Sequence, residues 1–303
     1  MPHAKSKPEV AVVMSTYNGA RYLEEQVESI LAQEGVDVRL YVRDDGSTDG
    51  TVEKLERWAS AGALELLDGG NLGVTRSFLL LVSQVAERHP YVALADQDDV
   101  WHTNKLLRAT TRLSELDPSL PAAYCSEYTY CDQDLVPRGR SHLNRIGVDF
   151  QRMLYENVTS GNTMVINQLL ARAVSRAGLE GVYTHDWWVS LVATATGALV
   201  FDDFSSLEYR RLSNNASASG RGVKEVLANR VRRYVAGDEL GLVTRQLEKL
   251  RDEFWDRMPE ERRRLLAHFL EDDGLSKART PGRLRQSERD EVALRTLFLL
   301  GRL

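Results

Sequence analysis

Three clusters of carboxylates in this chain have the residue types and spacing for chemistry, and each adjoins an apolar run. The first is Arg43-Asp44-Asp45-Gly46-Ser47-Thr48-Asp49. Ser47, Thr48 and Asp49 suit a helix cap, since each can accept hydrogen bonds from free first-turn amides. Capping does not account for the adjacent acids Asp44 and Asp45, which repel one another unless one pairs with a cation or accepts hydrogen bonds from a ligand such as a nucleobase imide. The second cluster, Asp96-Gln97-Asp98-Asp99-Val100-Trp101, sets three acids within four residues. A plain turn capping a helix near Asn104 needs only one. Three suit a divalent ion, and carboxylate oxygens match Mg²⁺ or Mn²⁺, which would bridge onward to diphosphate.

The third cluster is Thr184-His185-Asp186-Trp187-Trp188, at the start of an apolar helix that ends at Gly197. Asp186 reads either as an N-cap with two core tryptophans behind it, or as a base at the mouth of a cleft. In the second reading the helix N-terminus keeps it ionised, and Trp187 or Trp188 stacks on a sugar face. Asn71-Leu72-Gly73-Val74-Thr75-Arg76-Ser77 adds a turn where backbone amides and Arg76 can meet an anion. His3, His89, His102, His142 and His268 show no ligand spacing.

The elements that must position these clusters alternate. Apolar β-branched runs at 10–17, 40–42, 64–67 and 91–95 are separated by helical periodicity at 22–33, 51–59 and 76–88. This is the pattern of βαβ units building a largely parallel sheet, whose ligands collect at the carboxyl ends of the strands. Further strands are predicted at 122–130, 163–166 and 198–201, with helices at 168–176 and 186–196. From about Val223 only charged amphipathic helices follow, at 246–258, 260–270 and 288–300, after a linker at 214–222.

With 303 residues, 43% of them hydrophobic and 27% charged, the chain has an ordinary globular composition, which excludes fibrous and low-complexity readings. Its net charge of −5 argues against nucleic-acid binding through a basic surface. The balance is uneven, −9 over residues 1–220 and +4 over 221–303. Cys125 and Cys131 lack metal-ligand spacing and read as reduced thiols. The first residues lack the apolar stretch of a signal peptide, and no run is long enough to span a bilayer, so the expected location is cytoplasmic.

Taken in order, Val12-Val13-Met14-Ser15-Thr16-Tyr17-Asn18-Gly19, the Asp44 to Asp49 turn, Asn71-Leu72-Gly73 with Arg76, Asp96-Gln97-Asp98-Asp99 and His185-Asp186-Trp187-Trp188 resemble family 2 glycosyltransferases of the GT-A fold. The resemblance covers roughly residues 8–215. Its Asp-Gln-Asp-Asp-Val-Trp and His-Asp-Trp-Trp forms are most similar to bacterial dTDP-rhamnosyltransferases, which build cell-surface polysaccharides.

The resemblance implies an α/β, Rossmann-like GT-A domain over 1–220, a nucleotide-sugar-binding mixed sheet flanked by helices, with a helical region over 221–303. It further implies that Thr16, Tyr17 and Asp45 hold the nucleobase, that Asn71 and Arg76 lie by the nucleotide, that Asp96 approaches the ribose and that Asp98 binds Mg²⁺ or Mn²⁺. Asp186 matches the general base, and Gly161 and Asn162 fall with Trp187 and Trp188 on the acceptor side. The implied reaction is inverting transfer of L-rhamnose from dTDP-L-rhamnose to a hydroxyl of a polysaccharide or lipid-linked glycan.

One departure stands out. Relatives often carry Tyr-Arg-Gln-His-Gly-Asn-Asn where this chain has Tyr209-Arg210-Arg211-Leu212-Ser213-Asn214-Asn215. Leu212 replaces the His, and Arg210 or Arg211 can pair with phosphate instead. Two alternatives accompany this reading. One is a degenerate protein that binds nucleotide sugar or glycan without turnover. The other is a haloacid-dehalogenase-type phosphatase, whose DxDx[TV] pattern Asp96 to Val100 satisfies. Residues 283–303 combine Arg283, Arg285, Arg289, Arg295 and Arg302 with Leu294, Leu297, Phe298, Leu299, Leu300 and Leu303. This pattern fits packing on the catalytic domain, a homodimer contact, or a helix lying on the inner face of the plasma membrane.

Overall fold

The computed structural model describes residues 7–67, 69–211 and 239–303. Leu212, the predicted linker at 214–222 and the 220/221 boundary lie outside the described residues. In chain order the first half comprises β1 (Glu9–Thr16), α1 (Leu23–Leu31), β2 (Asp37–Asp44), α2 (Thr51–Ser60), β3 (Glu65–Leu67), α3 (Val74–Val85), β4 (Tyr91–Ala95), β5 (Val100–Trp101) and α4 (Lys105–Ser114). Then come β6 (Ala122–Cys131), β7 (Pro137–Arg140), α5 (Phe150–Met153), a 3₁₀ turn (Gly161–Thr163), β8 (Val165–Asn167), α6 (Gln168–Ala177), α7 (His185–Thr196) and β9 (Ala198–Arg210). The C-terminal region holds α8 (Glu239–Phe254), α9 (Glu260–Glu271), α10 (Gly274–Ala278) and α11 (Glu288–Leu299).

Among the described residues the strands form one nine-stranded mixed sheet in the order β3-β2-β1-β4-β8-β6-β9-β5, with β7 paired to β6. The four strands β3, β2, β1 and β4 are mutually parallel. β8 runs antiparallel to both β4 and β6, and β6 is parallel to β9. Two reversals restore direction, so the carboxyl ends of β1, β2, β4, β6 and β9 all reach one edge. The register confirms this, with Thr16 opposite Asp44, Met14 opposite Ala95 and Cys131 opposite Arg210.

The core lies on both faces of the sheet, which is why β1 reads as a nearly unbroken apolar run. Val10, Val12 and Met14 pack with Leu23, Val27 and Ile30 of α1, while Ala11 and Val13 pack with Phe78, Val82 and Val85 of α3. The α3 face also holds Trp188, and against it lie Leu247 and Phe254 of α8, Phe269 of α9, and Leu294 and Phe298 of α11. The C-terminal helices therefore share this core.

Several elements differ from expectation. The strand predicted at 40–42 spans Asp37–Asp44, the helix predicted at 76–88 is Val74–Val85, and the one predicted at 246–258 is Glu239–Phe254. The strand predicted at 198–201 continues to Arg210. Its central polar stretch hides the alternation, because bulges opposite Ser126 and Glu127 shift the register and Asp202 turns inward to Arg108 (2.7 Å) and Tyr124 (3.1 Å). The strand predicted from 163 begins at Val165, after the 3₁₀ turn. In the 283–303 segment, Leu294 and Phe298 are core, Arg285 is buried, and Arg295 bonds Glu291 and the Ala278 and Gly282 carbonyls. Packing on the catalytic domain is thus the observed arrangement, with Val292, Leu299 and Leu300 left exposed. Among the described residues no helix is long and apolar enough to cross a membrane.

Candidate active site

The turns leaving the common sheet edge open onto one cleft of about 1720 Å³. Thr16, Tyr17, Asp45, Asn71, Asp96, Asp98, Gly161 and Asp186 all line it. Three carboxylates far apart in the chain, Asp45, Asp98 and Asp186, therefore converge, because β2, β4 and the N-terminus of α7 end at the same edge.

The turn after β2 is laced to the turn after β1. Asp44 accepts hydrogen bonds from Thr16 Oγ1 (2.8 Å), Gly46 N (3.0 Å) and Ser47 N (2.7 Å). Ser47 Oγ accepts from Asn18 N (2.8 Å) and Asp49 from Ala20 N (3.1 Å). The N-cap of α2 is Gly50, at φ 91, with no side-chain cap bond, and only Asp49 reaches a first-turn amide, that of Thr51 (3.2 Å). Ser47 and Thr48 thus join two turns instead of capping a helix. Gln97 clamps the same turn from the β4 side, accepting from Tyr17 N (2.8 Å) and donating to Tyr17 O (3.0 Å). A Cβ at residue 19 would lie 2.2 Å from Gln97 Oε1, so any larger residue there would push Gln97 out of this clamp.

Of the two ways expected to relieve the adjacent acids, a cation or a ligand, the structure shows the cation at Asp45. Its Oδ1 accepts from Arg43 Nη1 (2.6 Å) and Leu72 N (2.7 Å), and its Oδ2 from Gly73 N (2.8 Å). Burial pushes its carboxyl upward, but those amides and the guanidinium outweigh it and hold the group below the usual carboxylate range. Arg43 is itself 2% exposed. Replacing it, as in Arg43→Met, strands a buried charge, so unfolding at neutral pH becomes easier by about 3–5 kcal/mol. A carboxyl depressed in the fold stabilises above its unfolded pKa and loses that contribution as pH falls through the folded one. The deficit of the variant therefore shrinks in acid, and thermal melts across pH check both parts.

The second cluster is electrostatically strained. Desolvation, then Asp98 and Asp186, push Asp96 up to about 7, and desolvation raises Asp98 to about 6. Asp99 is fully buried, and its Oδ1 has no hydrogen-bond partner. Behind the cluster, buried Lys105 donates to Asn162 O and lies 4.0 Å over the Trp101 ring. Burial pulls the Lys105 ammonium down to about 7, against the opposing pull of Asp99 and Asp96. Periodicity assigns Lys105 to a helix start, and nothing local in the sequence marks it as the partner of this cluster.

Against this geometry, comparison with known proteins is decisive. A family model described as glycosyl transferase family 2 matches residues 11–176, more than half of the chain. The chain belongs to glycosyl transferase family 2. Relatives of this family 2 glycosyltransferase include the dTDP-rhamnosyl transferase RfbG of Shigella flexneri, 26% identical over 219 residues, covering 67% of this chain and 72% of that protein. The putative teichuronic acid biosynthesis glycosyltransferase TuaG of Bacillus subtilis strain 168 is 24% identical over 217 residues, covering 70% and 83%. Among solved structures, S. aureus TarS 1-349 in complex with UDP-GlcNAc superposes with a TM-score of 0.55 at 14% identity, covering 97% of this chain and 92% of that one. The likeness extends the expected GT-A fold, a mixed sheet flanked by helices, over the C-terminal helices as well.

Four residues expected to bind substrate in this family 2 enzyme do not line the cleft. Trp188 is fully buried, and Trp187 is 7% exposed with its indole N–H donating to Met153 O (2.6 Å). Their positions on α7 turn them into the core, so stacking on a sugar is corrected to packing. Asn162 is buried behind the acids, its amide donating to Asp99 Oδ2 (2.6 Å). Arg76 points to a neighbouring depression and pairs with Glu180 (2.6 Å). Of the two arginines near the end of β9, Arg210 is buried against Glu25 and Gln133 O, while exposed Arg211 lies over Tyr130 and lines the cleft.

Residues that sequence reasoning missed stand around Asp186. Its Oδ2 accepts from Asn157 Nδ2 (2.9 Å) and its Oδ1 from Trp187 N (2.8 Å). His185 stacks on Phe78 at 4.3 Å, and burial holds it below its ordinary value against the opposing pull of Asp186. Gln286, Ser287 and Asp290 of the C-terminal region line the same cleft, 100 residues beyond Asp186 and without any local signature.

Proposed function

We propose that this family 2 glycosyltransferase transfers L-rhamnose from dTDP-L-rhamnose to a hydroxyl of a glycan acceptor, with inversion at the anomeric carbon. The observation that carries the reading is the convergence of Asp45, Asp98 and Asp186 on one cleft. That cleft, about 1720 Å³, exceeds the roughly 300–1,000 Å³ typical of a single small-molecule site and has room for donor and acceptor together. The rhamnosyl assignment is supported by the likeness to RfbG and by the Asp-Gln-Asp-Asp-Val-Trp and His-Asp-Trp-Trp forms. The catalytic domain is assigned to 1–220 and the helical region to 221–303.

At the nucleotide end, Thr16 and Tyr17 form the wall for the base. Asp45 uses three of about four carboxylate acceptor positions internally, leaving one for the base imide N–H. Asp96 accepts from the ribose, and Asn71 closes the same side. The donor set at the next turn fits Mg²⁺ or Mn²⁺: hard carboxylate oxygens, raised in pKa by crowding that a dication relieves. Asp98 is the residue that would hold the ion; among the described residues no three His, Cys, Asp or Glu side chains are grouped as a metal set. When bound, the ion neutralises charge on the departing diphosphate. Arg211, at the cleft wall, adds a cation in a chain whose sequence has no histidine in its Tyr209 to Asn215 stretch.

Asp186 takes the proton of the acceptor hydroxyl as its oxygen attacks the anomeric carbon from the face opposite the diphosphate. The carbon–phosphate oxygen bond breaks, and the acceptor oxygen–carbon bond forms. No covalent enzyme intermediate arises.

A thermal-unfolding screen of dTDP-L-rhamnose, UDP-GlcNAc and GDP-mannose with and without Mn²⁺ tests the donor, because a ligand of the native state raises its stability by RT ln(1 + [L]/Kd). Metal-dependent protection by dTDP-L-rhamnose above the other two is expected. Stronger protection by another nucleotide sugar overturns the rhamnosyl assignment. Protection without transfer or donor hydrolysis marks a binding protein.

A further inference from the structure

The segment that presents Asn157 to Asp186 is held from two sides. On one side it is tied to α7, the helix that carries Asp186: Trp187 Nε1 donates to Met153 O (2.6 Å), and Thr159 Oγ1 meets Ser190 Oγ at 2.8 Å. Asn157 is fixed in turn, its Oδ1 accepting from Thr159 N (3.1 Å) and Thr159 Oγ1 (2.8 Å) while its Nδ2 serves Asp186. Its amide orientation is thereby set, since the oxygen is claimed by two donors and only the NH₂ remains for the carboxylate.

On the other side stands the C-terminal region. Arg285, buried at 8% exposure, donates to Tyr155 O, and its Nε lies 3.6 Å from the Glu156 carboxylate. Gln286 N donates to the same carboxylate (2.6 Å). The strap Leu284–Gln286 is stiffened by Glu291 of α11, whose Oε2 accepts from Leu284 N and Arg285 N, both at 2.8 Å. The Gln286 side chain also ties in the 145–146 segment, accepting from Arg145 N (2.8 Å) and Ile146 N (2.9 Å). A continuous chain of bonds therefore runs from α11 through Arg285 and Gln286 to Tyr155 and Glu156, and from the adjoining Asn157 to the carboxylate of Asp186.

We propose that Asn157 is the positioning residue of Asp186 and that the C-terminal strap holds it in place, so the helical extension is a working part of the transferase site. The proposal rests on the reading of Asp186 as base. A carboxylate with one oxygen fixed by Trp187 N and the other by Asn157 has one orientation toward the acceptor hydroxyl, and misplacement of a reacting group by about 1 Å costs on the order of 10²-fold in rate.

The test is a kinetic comparison of the full chain with Asn157→Ala, Arg285→Gln, their double variant, and Asp186→Asn. Transfer from dTDP-L-rhamnose to a panel of octyl glycosides is measured, or donor hydrolysis where water is the acceptor. Calorimetry of dTDP binding reports the integrity of the folded nucleotide end. Asn157→Ala is expected to lower kcat on the order of 10²-fold with unchanged donor KM and dTDP affinity. Arg285→Gln should do the same more weakly, and the double variant should fall no further than Asn157→Ala alone, because both remove one restraint. Turnover of Asn157→Ala within twofold of the unaltered chain, beside an inactive Asp186→Asn, overturns the positioning role and leaves the base reading standing. Multiplicative losses in the double variant overturn the link through the strap. Undiminished turnover of Asp186→Asn overturns the base reading and this proposal with it. If Arg285→Gln loses dTDP binding through misfolding, Glu156→Ala, which removes the carboxylate that both Gln286 N and Arg285 face, supplies the strap variant under the same criteria.

Discussion

Asp186→Asn lowers turnover by about 10² to 10⁴ fold, the range expected when a positioned general base is removed. The substitution is nearly isosteric and sits at the first turn of α7, where an amide oxygen still accepts from Trp187 N, so the fold is preserved. Proton affinity is what changes. Donor binding should hold or improve slightly, because Asp186 is one of the charges that raise Asp96, and removing it eases the accumulation of negative charge beside the diphosphate. Steady-state rates together with calorimetry of dTDP separate the two effects. Near-normal turnover removes Asp186 as the base.

Asp98→Ala abolishes the strengthening of nucleotide diphosphate binding by divalent metal. Titrating dTDP into the variant with and without Mn²⁺ should give one affinity, whereas the unaltered chain should give two. Turnover falls on the order of 10² to 10³ fold, since charge stabilisation at a leaving group by a bound ion contributes several kcal/mol to the barrier. A second readout separates loss of the ion from loss of the fold. Asp98 raises the pKa of Asp96 and Asp99, so without metal it is a source of repulsion. The metal-free variant should therefore melt no lower than the metal-free unaltered chain. Unchanged metal dependence of dTDP binding places the ion elsewhere.

The legible part of this protein was local. The runs at 10–17 and 91–95 and the helical spacing of Leu23, Val27 and Ile30 place β1, β4 and α1 closely, because strand and helix periods are written in consecutive side chains, whereas β2 extends beyond the apolar run at 40–42 to Asp37–Asp44. Asp45, Asp96, Asp98 and Asp186 stood out since each follows a strand or opens a helix, and parallel strands deliver such turns to one edge. The β9 strand was underread for the opposite reason: its bulged, polar centre has no period to detect.

The direction in which a side chain turns was beyond reach. Trp187 and Trp188 sit beside Asp186 in sequence, yet successive residues on a helix point about 100° apart, so neighbours of a cleft residue can face the core. The same holds for Asn162 beside Gly161, one behind the acids and the other on the cleft wall. Sequence by itself determined the family, the sheet and the acids at its edge, because those depend on short-range pattern. Only tertiary structure decided that Asp45 is already paired by Arg43, that Asn157 braces Asp186, and that Gln286, Ser287 and Asp290 complete the cleft. Such contacts between distant segments arise from chain packing and leave no periodic trace in the residues that make them.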